Sequence, residues 1–327
     1  MAIGKASDFK IYEPEFYGGM AEGIAQNVQA FNAASAGAIR LVARSLKGHY
    51  EKESFMKAIS GLVSRRDITS VAAATDLAMT QGEFVSVKVN RKLGPAAQTL
   101  DAFRKLGTSP QEMSFVLGRM VGELKLKDYI NTAILAVETA IDGQAALKVD
   151  KSAASPTTLA HQWLVSAMAL MGDQAQQIRA WVMHSKPFFD LVGQGITDKI
   201  TNVADVIIFG GGPGSLGKPI IVTDAPALWD LNGSAADTYN VLGLVEGAVT
   251  VTESEEQEIV SEVVTGLENL VMRVQGEYAF NLSVKGFAWD VANGGANPTD
   301  GALGTTSNWD KAATEDKHLA GVRLKVA

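Results

Sequence analysis

The sequence predicts an α+β fold on three observations: helical periodicity sustained over residues 110–141, strict strand alternation at 83–90, and a second half in which short helical and strand patterns intermix. The chain has 327 residues, 46% hydrophobic and 20% charged, which is the composition of an ordinary folded protein and excludes disorder as the main state. It holds no Cys, which excludes a disulfide framework, a thiolate nucleophile, a zinc ribbon and an iron–sulfur cluster, and points to a reducing compartment. The opening MAIGKASDFKIYEPEF lacks an apolar core of signal-peptide length, and the most apolar later stretches, 163–171 and 203–209, are too short to span a membrane. The expectation is a soluble protein with no membrane partner.

Taken in order, Ile24, Val28, Phe31, Ser35, Ala38, Val42 and Leu46 recur at helical spacing and predict one helix over 20–47, closed by Lys47-Gly48. Phe55, Ile59 and Leu62 predict a second helix at 51–63. Val85, Val87 and Val89 then alternate with Ser86, Lys88 and Asn90, the period of a half-buried strand, with Gly82 and Gly94-Pro95 as bounding turns. Ser109-Pro110-Gln111-Glu112 is a capping box with proline at the first helical position. Met113, Leu117, Met120, Val121, Leu124, Ile130, Ile134, Val137 and Ile141 carry that helix to Asp142-Gly143. At 1.5 Å rise per residue it is a rod of about 48 Å, a spine for something else to pack against.

After a small-residue linker at 151–157, Leu159, Trp163, Ala167 and Leu170 predict a helix stopped by Gly172-Asp173. Short elements follow: a strand at 181–183, a helix opening at Ser185 with Pro187, and strands at 203–209, 219–223 and 239–252. Residues 270–274 and 278–284 alternate about Gly276-Glu277, which suggests a hairpin or sheet return. No repeat of fixed period is present.

Net charge is −7. Residues 1–160 carry 19 Lys/Arg against 16 Asp/Glu, and 161–327 carry 10 against 20, an asymmetry that predicts two differently charged faces. Arg40, Arg44, Lys47, Lys52, Lys57, Arg65 and Arg66 cluster in a stretch whose only acids are Glu51 and Glu53, whereas no base occurs between Lys218 and Arg273. Either patch is read as a solvated face or as a contact with a partner or polyanion.

Gly210-Gly211-Gly212-Pro213-Gly214-Ser215-Leu216-Gly217-Lys218 contains both G-x-G-x-x-G and G-x-x-x-x-G-K. Both phosphate-binding mechanisms need a helix N-terminus next, yet Lys218 is followed by Pro219 and the strand-like Ile220-Ile221-Val222, so the reading is a glycine turn between strands. His49, His161, His184 and His318 never fall at metal-pair spacing. His184-Ser185 resembles a base beside a nucleophile, but the serine is better used as a helix cap. The acids at 253–258 lack a calcium-loop pattern and are read as an exterior charged patch. No catalytic residue, cofactor or metal is expected.

Met171-Gly172-Asp173, Trp181-Val182-Met183-His184-Ser185 and Gly217-Lys218-Pro219-Ile220-Ile221-Val222-Thr223-Asp224 stand in one order with Lys285-Gly286-Phe287-Ala288-Trp289-Asp290, Asn297-Pro298-Thr299-Asp300 and Asn308-Trp309-Asp310-Lys311. Together they resemble the major capsid protein of tailed double-stranded-DNA bacteriophages, the Hong Kong 97-type coat fold, in the variety used by short-tailed phages. The resemblance implies an N-terminal arm and helices at 1–66, an extended hairpin at 67–97, a peripheral domain at 98–159 with its spine helix at 110–141, an axial domain at 160–260, and a return to the peripheral domain at 261–327. It also implies self-assembly through hexamers and pentamers into an icosahedral shell around the phage genome, in the virion capsid, after synthesis in the host bacterial cytoplasm. Portal and scaffolding or cement proteins are the implied further partners. Packaged DNA would be touched non-specifically, with Arg40, Arg44, Lys47, Arg65 and Arg66 as the candidate DNA-facing residues and the acids of 224–268 facing outward or around the capsomer axis. Competing readings are a nucleotide-dependent enzyme using the Gly210–Lys218 loop and a bacterial nanocompartment shell of the same fold.

Overall fold

A computed structural model describes residues 13–43, 49–57, 62–66, 68–73, 76–99, 110–193, 200–203, 206–209, 215–231, 236–266 and 268–327. The first helix, α1 (Glu13–Ala34), ends earlier than the periodicity predicts. Ala36 and Gly37 take the left-handed conformation, at φ 51° and 70°, and the chain leaves as strand β1 (Ile39–Ala43). Ala38 and Val42 match helical spacing by coincidence; Ile39 and Leu41 are buried while Arg40 and Val42 are exposed, the period of a strand. Leu46 and Lys47-Gly48 lie outside the described residues.

Strand β2 (Tyr50–Met56) replaces the second predicted helix. It pairs antiparallel with β3 (Gln81–Thr99), Tyr50 opposite Val87 and Met56 opposite Gln81, and Phe55 stacks on Phe84 with ring centroids 4.1 Å apart. Cross-strand packing therefore overrides a three-residue helical pattern, of which Ile59 lies outside the described residues. In β3, Val85, Val87 and Val89 are buried together as predicted, but Ser86 and Lys88 are buried on the other face too. Gly94-Pro95 does not end the strand. Gly94 sits at φ 74° near a shift in register with β12 (Val271–Val284), so the pair marks a bulge.

Helix α2 (Pro110–Asp142) is the predicted spine; Ser109 of its capping box lies outside the described residues. Its C-terminal half is buried nearly all round, through Ile130, Ala133, Ile134, Ala136, Val137, Ala140 and Ile141. Its N-terminal half is covered on one side, where Leu117 and Val121 join Met20 and Ile24 of α1 and Ile259 in a small second core.

The chain then builds β4 (Lys148–Asp150), α3 (His161–Ala169), β5 (Ile178–Met183), α4 (Ser185–Val192), β6 (Ile200–Val203), β7 (Val206–Phe209), β8 (Ile220–Val222), β9 (Trp229–Asp230) and β10 (Thr238–Val245). It closes with β11 (Val249–Val264), β12, β13 (Phe287–Trp289), α5 (Val291–Gly294), α6 (Asp300–Leu303), β14 (Trp309–Lys311) and β15 (Gly321–Val326). Three sequence expectations change. The strand at 203–209 is a hairpin of β6 and β7. The strand at 239–252 breaks at Glu246-Gly247, where Gly247 takes φ 64°, and its halves enter different sheets. Strand β12 runs unbroken through Gly276 because its hairpin partner is β11; a Cβ at Gly276 would stand 2.7 Å from Ile259, which is why glycine occupies the bulge.

Among the described residues a five-stranded sheet has the order β1-β11-β12-β3-β2, and an eight-stranded sheet the order β4-β15-β10-β5-β8-β7-β6 with β9 beside β10. Strand β1 runs parallel to β11, from Ile39 opposite Val249 to Ala43 opposite Glu253. Trp289 and Trp309 face each other in the β13–β14 ribbon, with ring centroids 4.9 Å apart. One main core joins both sheets to α2.

Candidate functional site

Beyond Met56 and before Gln81 the described chain has no regular strand or helix, and here apolar side chains face water. Leu62, Val63, Ile68 and Val71 are 67%, 95%, 84% and 103% exposed, and Met56, Leu77 and Met79 are exposed as well. Single exposed apolar residues are ordinary; a run of nearly fully exposed ones between β2 and β3 is the pattern of a candidate interaction surface.

The structure separates the basic residues that the sequence grouped. Arg65 and Arg66 are exposed in the hairpin, and Arg44 and Lys47 lie outside the described residues. Arg40 stands instead at the turn joining the two sheets, paired with Glu246. Arg179 approaches the same carboxylate at 3.7 Å, and Lys285 Nζ donates to the Glu246 carbonyl at 3.2 Å. Burial holds the Lys285 amine below its ordinary range. No sequence signal could have joined these four residues, which come from four distant segments.

The acid-rich stretch divides as well. Glu258 and Glu262 are exposed along β11, opposite Glu277 and Arg273, as an exterior patch should be. Glu253 departs from that expectation: it pairs with Lys125 of α2, whose side chain is 1% exposed. Lys125 also lies over the rings of Tyr129 and Tyr278, at 5.5 and 5.4 Å.

This pair begins a polar seam along α2. Asp128 accepts from the Tyr278 hydroxyl at 2.7 Å and pairs with Arg91 Nε at 3.2 Å, while Arg91 also reaches Thr132 at 3.1 Å and Asp300 at 2.6 Å. Burial and the adjacent Asp128 push the Tyr278 phenol far above its ordinary value. Farther on, Glu138 and Asp142 both contact Arg323 of β15. The seam thus links the spine to β3, β11, β12, α6 and β15.

His184, Ser185 and Asp224 do converge. Ser185 Oγ is 3.3 Å from His184 Nδ1, and His184 Nε2 is 3.3 Å from Asp224. However, Nδ1 also accepts the Lys186 backbone N–H at 3.2 Å, so the imidazole lone pair that a general base needs is engaged in capping α4. The cap is His184 rather than the predicted Ser185. Strand β8 does follow Lys218, as the glycine-turn reading requires; residues 210–214 lie outside the described residues. Among the described residues no cluster of three or more His, Asp or Glu side chains can hold a metal, and no helix is long and apolar enough to cross a membrane.

The Gp13-like family model, described as major capsid protein 13-like, matches residues 8–323. The chain belongs to this major capsid protein family. No curated protein matches the coat protein in sequence. Among solved structures it is similar to the cyanophage Pam1 capsid asymmetric unit, at 12% identity and TM-score 0.51, over 90% of this chain and 92% of that one. It is also similar to a chain of Mycobacterium phage Adephagia, at 9% identity and TM-score 0.50, over 90% of each chain. These likenesses show the fold, the Hong Kong 97-type phage capsid fold. The coat protein is therefore structural rather than enzymatic; its place is the virion capsid, where copies associate into a shell. Neither the nucleotide-enzyme nor the nanocompartment reading is favoured by that assignment.

Proposed function

We propose that this coat protein assembles through hexamers and pentamers into an icosahedral shell around packaged double-stranded DNA, in the cytoplasm of a bacterial host, with portal and scaffolding or cement proteins as further partners. The observation that carries the reading is the segment between β2 and β3, whose Leu62, Val63, Ile68 and Val71 are largely exposed in the described part of their own subunit. In this reading residues 67–97 reach over a neighbouring subunit and 1–66 form the arm. Residues 98–159 with the spine at 110–141 form the peripheral domain, 160–260 the axial domain, and 261–327 return to the peripheral domain. The sheet topology supports adding β2 to the hairpin, and β4 and β15 to the axial sheet. Electron microscopy of the purified protein tests it: closed shells, sheets or capsomers are expected, and a lone compact particle at all concentrations would overturn it.

The same proposal turns Arg40, Arg44, Lys47, Arg65 and Arg66 toward the packaged DNA and the acids of 224–268 outward or around the capsomer axis. A wall around a polyanion gains by such an arrangement, and the contacts would be to phosphate without sequence preference. The charge asymmetry between the chain halves supports it. A shell reconstruction with these side chains on the exterior would overturn this part and leave the coat assignment standing.

A further inference from the structure

The last two turns of α2 meet β15 and β4 of the eight-stranded sheet, with β9 held beside them through β15. Glu138 Oε1 lies 2.8 Å from Arg323 Nε of β15, and Asp142 contacts the same guanidinium through Nη1. The Nε–H is not aimed along its contact, so the first pairing is one of charge rather than an aligned hydrogen bond. Lys148 of β4 reaches Asp142 at 3.2 Å, Lys325 of β15 reaches Asp230 of β9 at 3.1 Å, and Asp150 of β4 accepts from Ser152 while feeling Lys325 and Arg323. Among the described residues, four carboxylates (Glu138, Asp142, Asp150, Asp230) thus face three cations (Lys148, Arg323, Lys325).

The surplus negative charge falls on the most enclosed acid. Glu138 and Arg323 are 12% and 11% exposed, whereas Asp142 and Asp230 are 32% and 41% exposed and each has a lysine in direct ion-pair contact. A charge on Glu138 must be met by a guanidinium that Asp142 already holds, with little water to help. Uptake of one proton balances the junction and leaves the Arg323–Asp142 pair in place.

We propose that Glu138 is a proton-operated joint between the spine helix and the axial-side sheet: neutral and tight when protonated, charged and loosened when the proton leaves. Burial agrees with the geometry, pushing the Glu138 carboxyl up to about 7, opposed by Arg323 and reinforced by Asp142 and Asp230. Because the folded value lies above the ordinary 4.5, the folded chain keeps a proton in that interval which the unfolded chain has lost. The stabilisation is therefore full below the unfolded value and disappears as pH rises through about 7. Since α2 also packs on the five-stranded sheet, loosening at Glu138 alters how firmly the two sheets are coupled.

Thermal unfolding of the full-length protein from mildly acid to alkaline pH tests the joint. The wild-type midpoint should fall as pH rises from 4.5 to about 7 and level off above, while Glu138→Gln should lack that fall, matching wild type on the acid side and exceeding it on the alkaline side. Parallel pH profiles in the two proteins would overturn the proposal. Hydrogen exchange in the wild type alone gives a second reading if the variant fails to fold. After correction for intrinsic exchange, protection of the β15 amides should drop as pH rises from 4.5 to about 7, and unchanged protection over that interval would overturn the joint.

Discussion

The C-terminal half of α2 and the hairpin beyond β2 use apolar side chains in opposite ways. In α2, Ile130, Ile134, Val137 and Ile141 are fully enclosed between the two sheets; in the hairpin, Val63 and Val71 stand almost wholly in water. On the proposed reading, the subunit's own stability resides in the first region and its association in the second. Substitutions at the two places should separate folding from assembly.

The largest effect on the subunit is expected from Ile134→Ala, which empties a fully buried site and should lower unfolding free energy by about 2–5 kcal/mol in a denaturant titration. If instead it left unfolding unchanged and abolished shells, the division would be broken. Tyr278→Phe ranks next. It removes the hydroxyl donated to Asp128 within the seam, and the same titration should register a loss of about 1–3 kcal/mol.

A smaller, pH-dependent loss is expected at His184. Burial holds the imidazole below its ordinary 6.5, against the pull of Asp224, so the neutral ring that caps α4 is the favoured form. Its contribution is present above the unfolded value and lost as pH falls, because protonation occupies Nδ1 and removes the acceptor. His184→Asn keeps a capping side chain without the titration. It should stay within about 1 kcal/mol of wild type near neutrality and flatten the acid limb of the stability profile; an unchanged acid limb would assign the sensitivity elsewhere. The smallest effect on folding, and the largest on assembly, belongs to the double change Ile68→Ser and Val71→Ser. Subunit stability should move by less than about 0.5 kcal/mol while sedimentation shows shells or capsomers lost.

The spine helix, the valine alternation of β3 and the elements α3, β5, α4 and β8 were legible in the sequence, because each carries several turns of periodicity or a capping or proline signal. The segment from Ser35 to Met56 was not, since a few apolar residues at helical spacing also satisfy two short strands once their pairing partners, here β11 and β3, are supplied from far along the chain. The polar seam was hidden for a related reason. Reading α2 by its apolar residues passes over Lys125, Asp128 and Glu138, whose partners Glu253, Tyr278 and Arg323 are brought to them by the fold alone. Nor does sequence tell an apolar residue that will be buried in its own subunit from one that will not, so the hairpin's Val71 and the spine's Val137 look alike until the sheets are in place.

The turn at Glu246-Gly247 has a mechanical meaning. It carries the chain from β10 in one sheet to β11 in the other, and its carboxylate holds Arg179 from the first sheet and Arg40 from the second. Tension that draws the sheets apart at this turn must strain both pairings together, like a clasp gripped from two sides. Exposed ion pairs are individually weak, so such a clasp adds little resistance of its own.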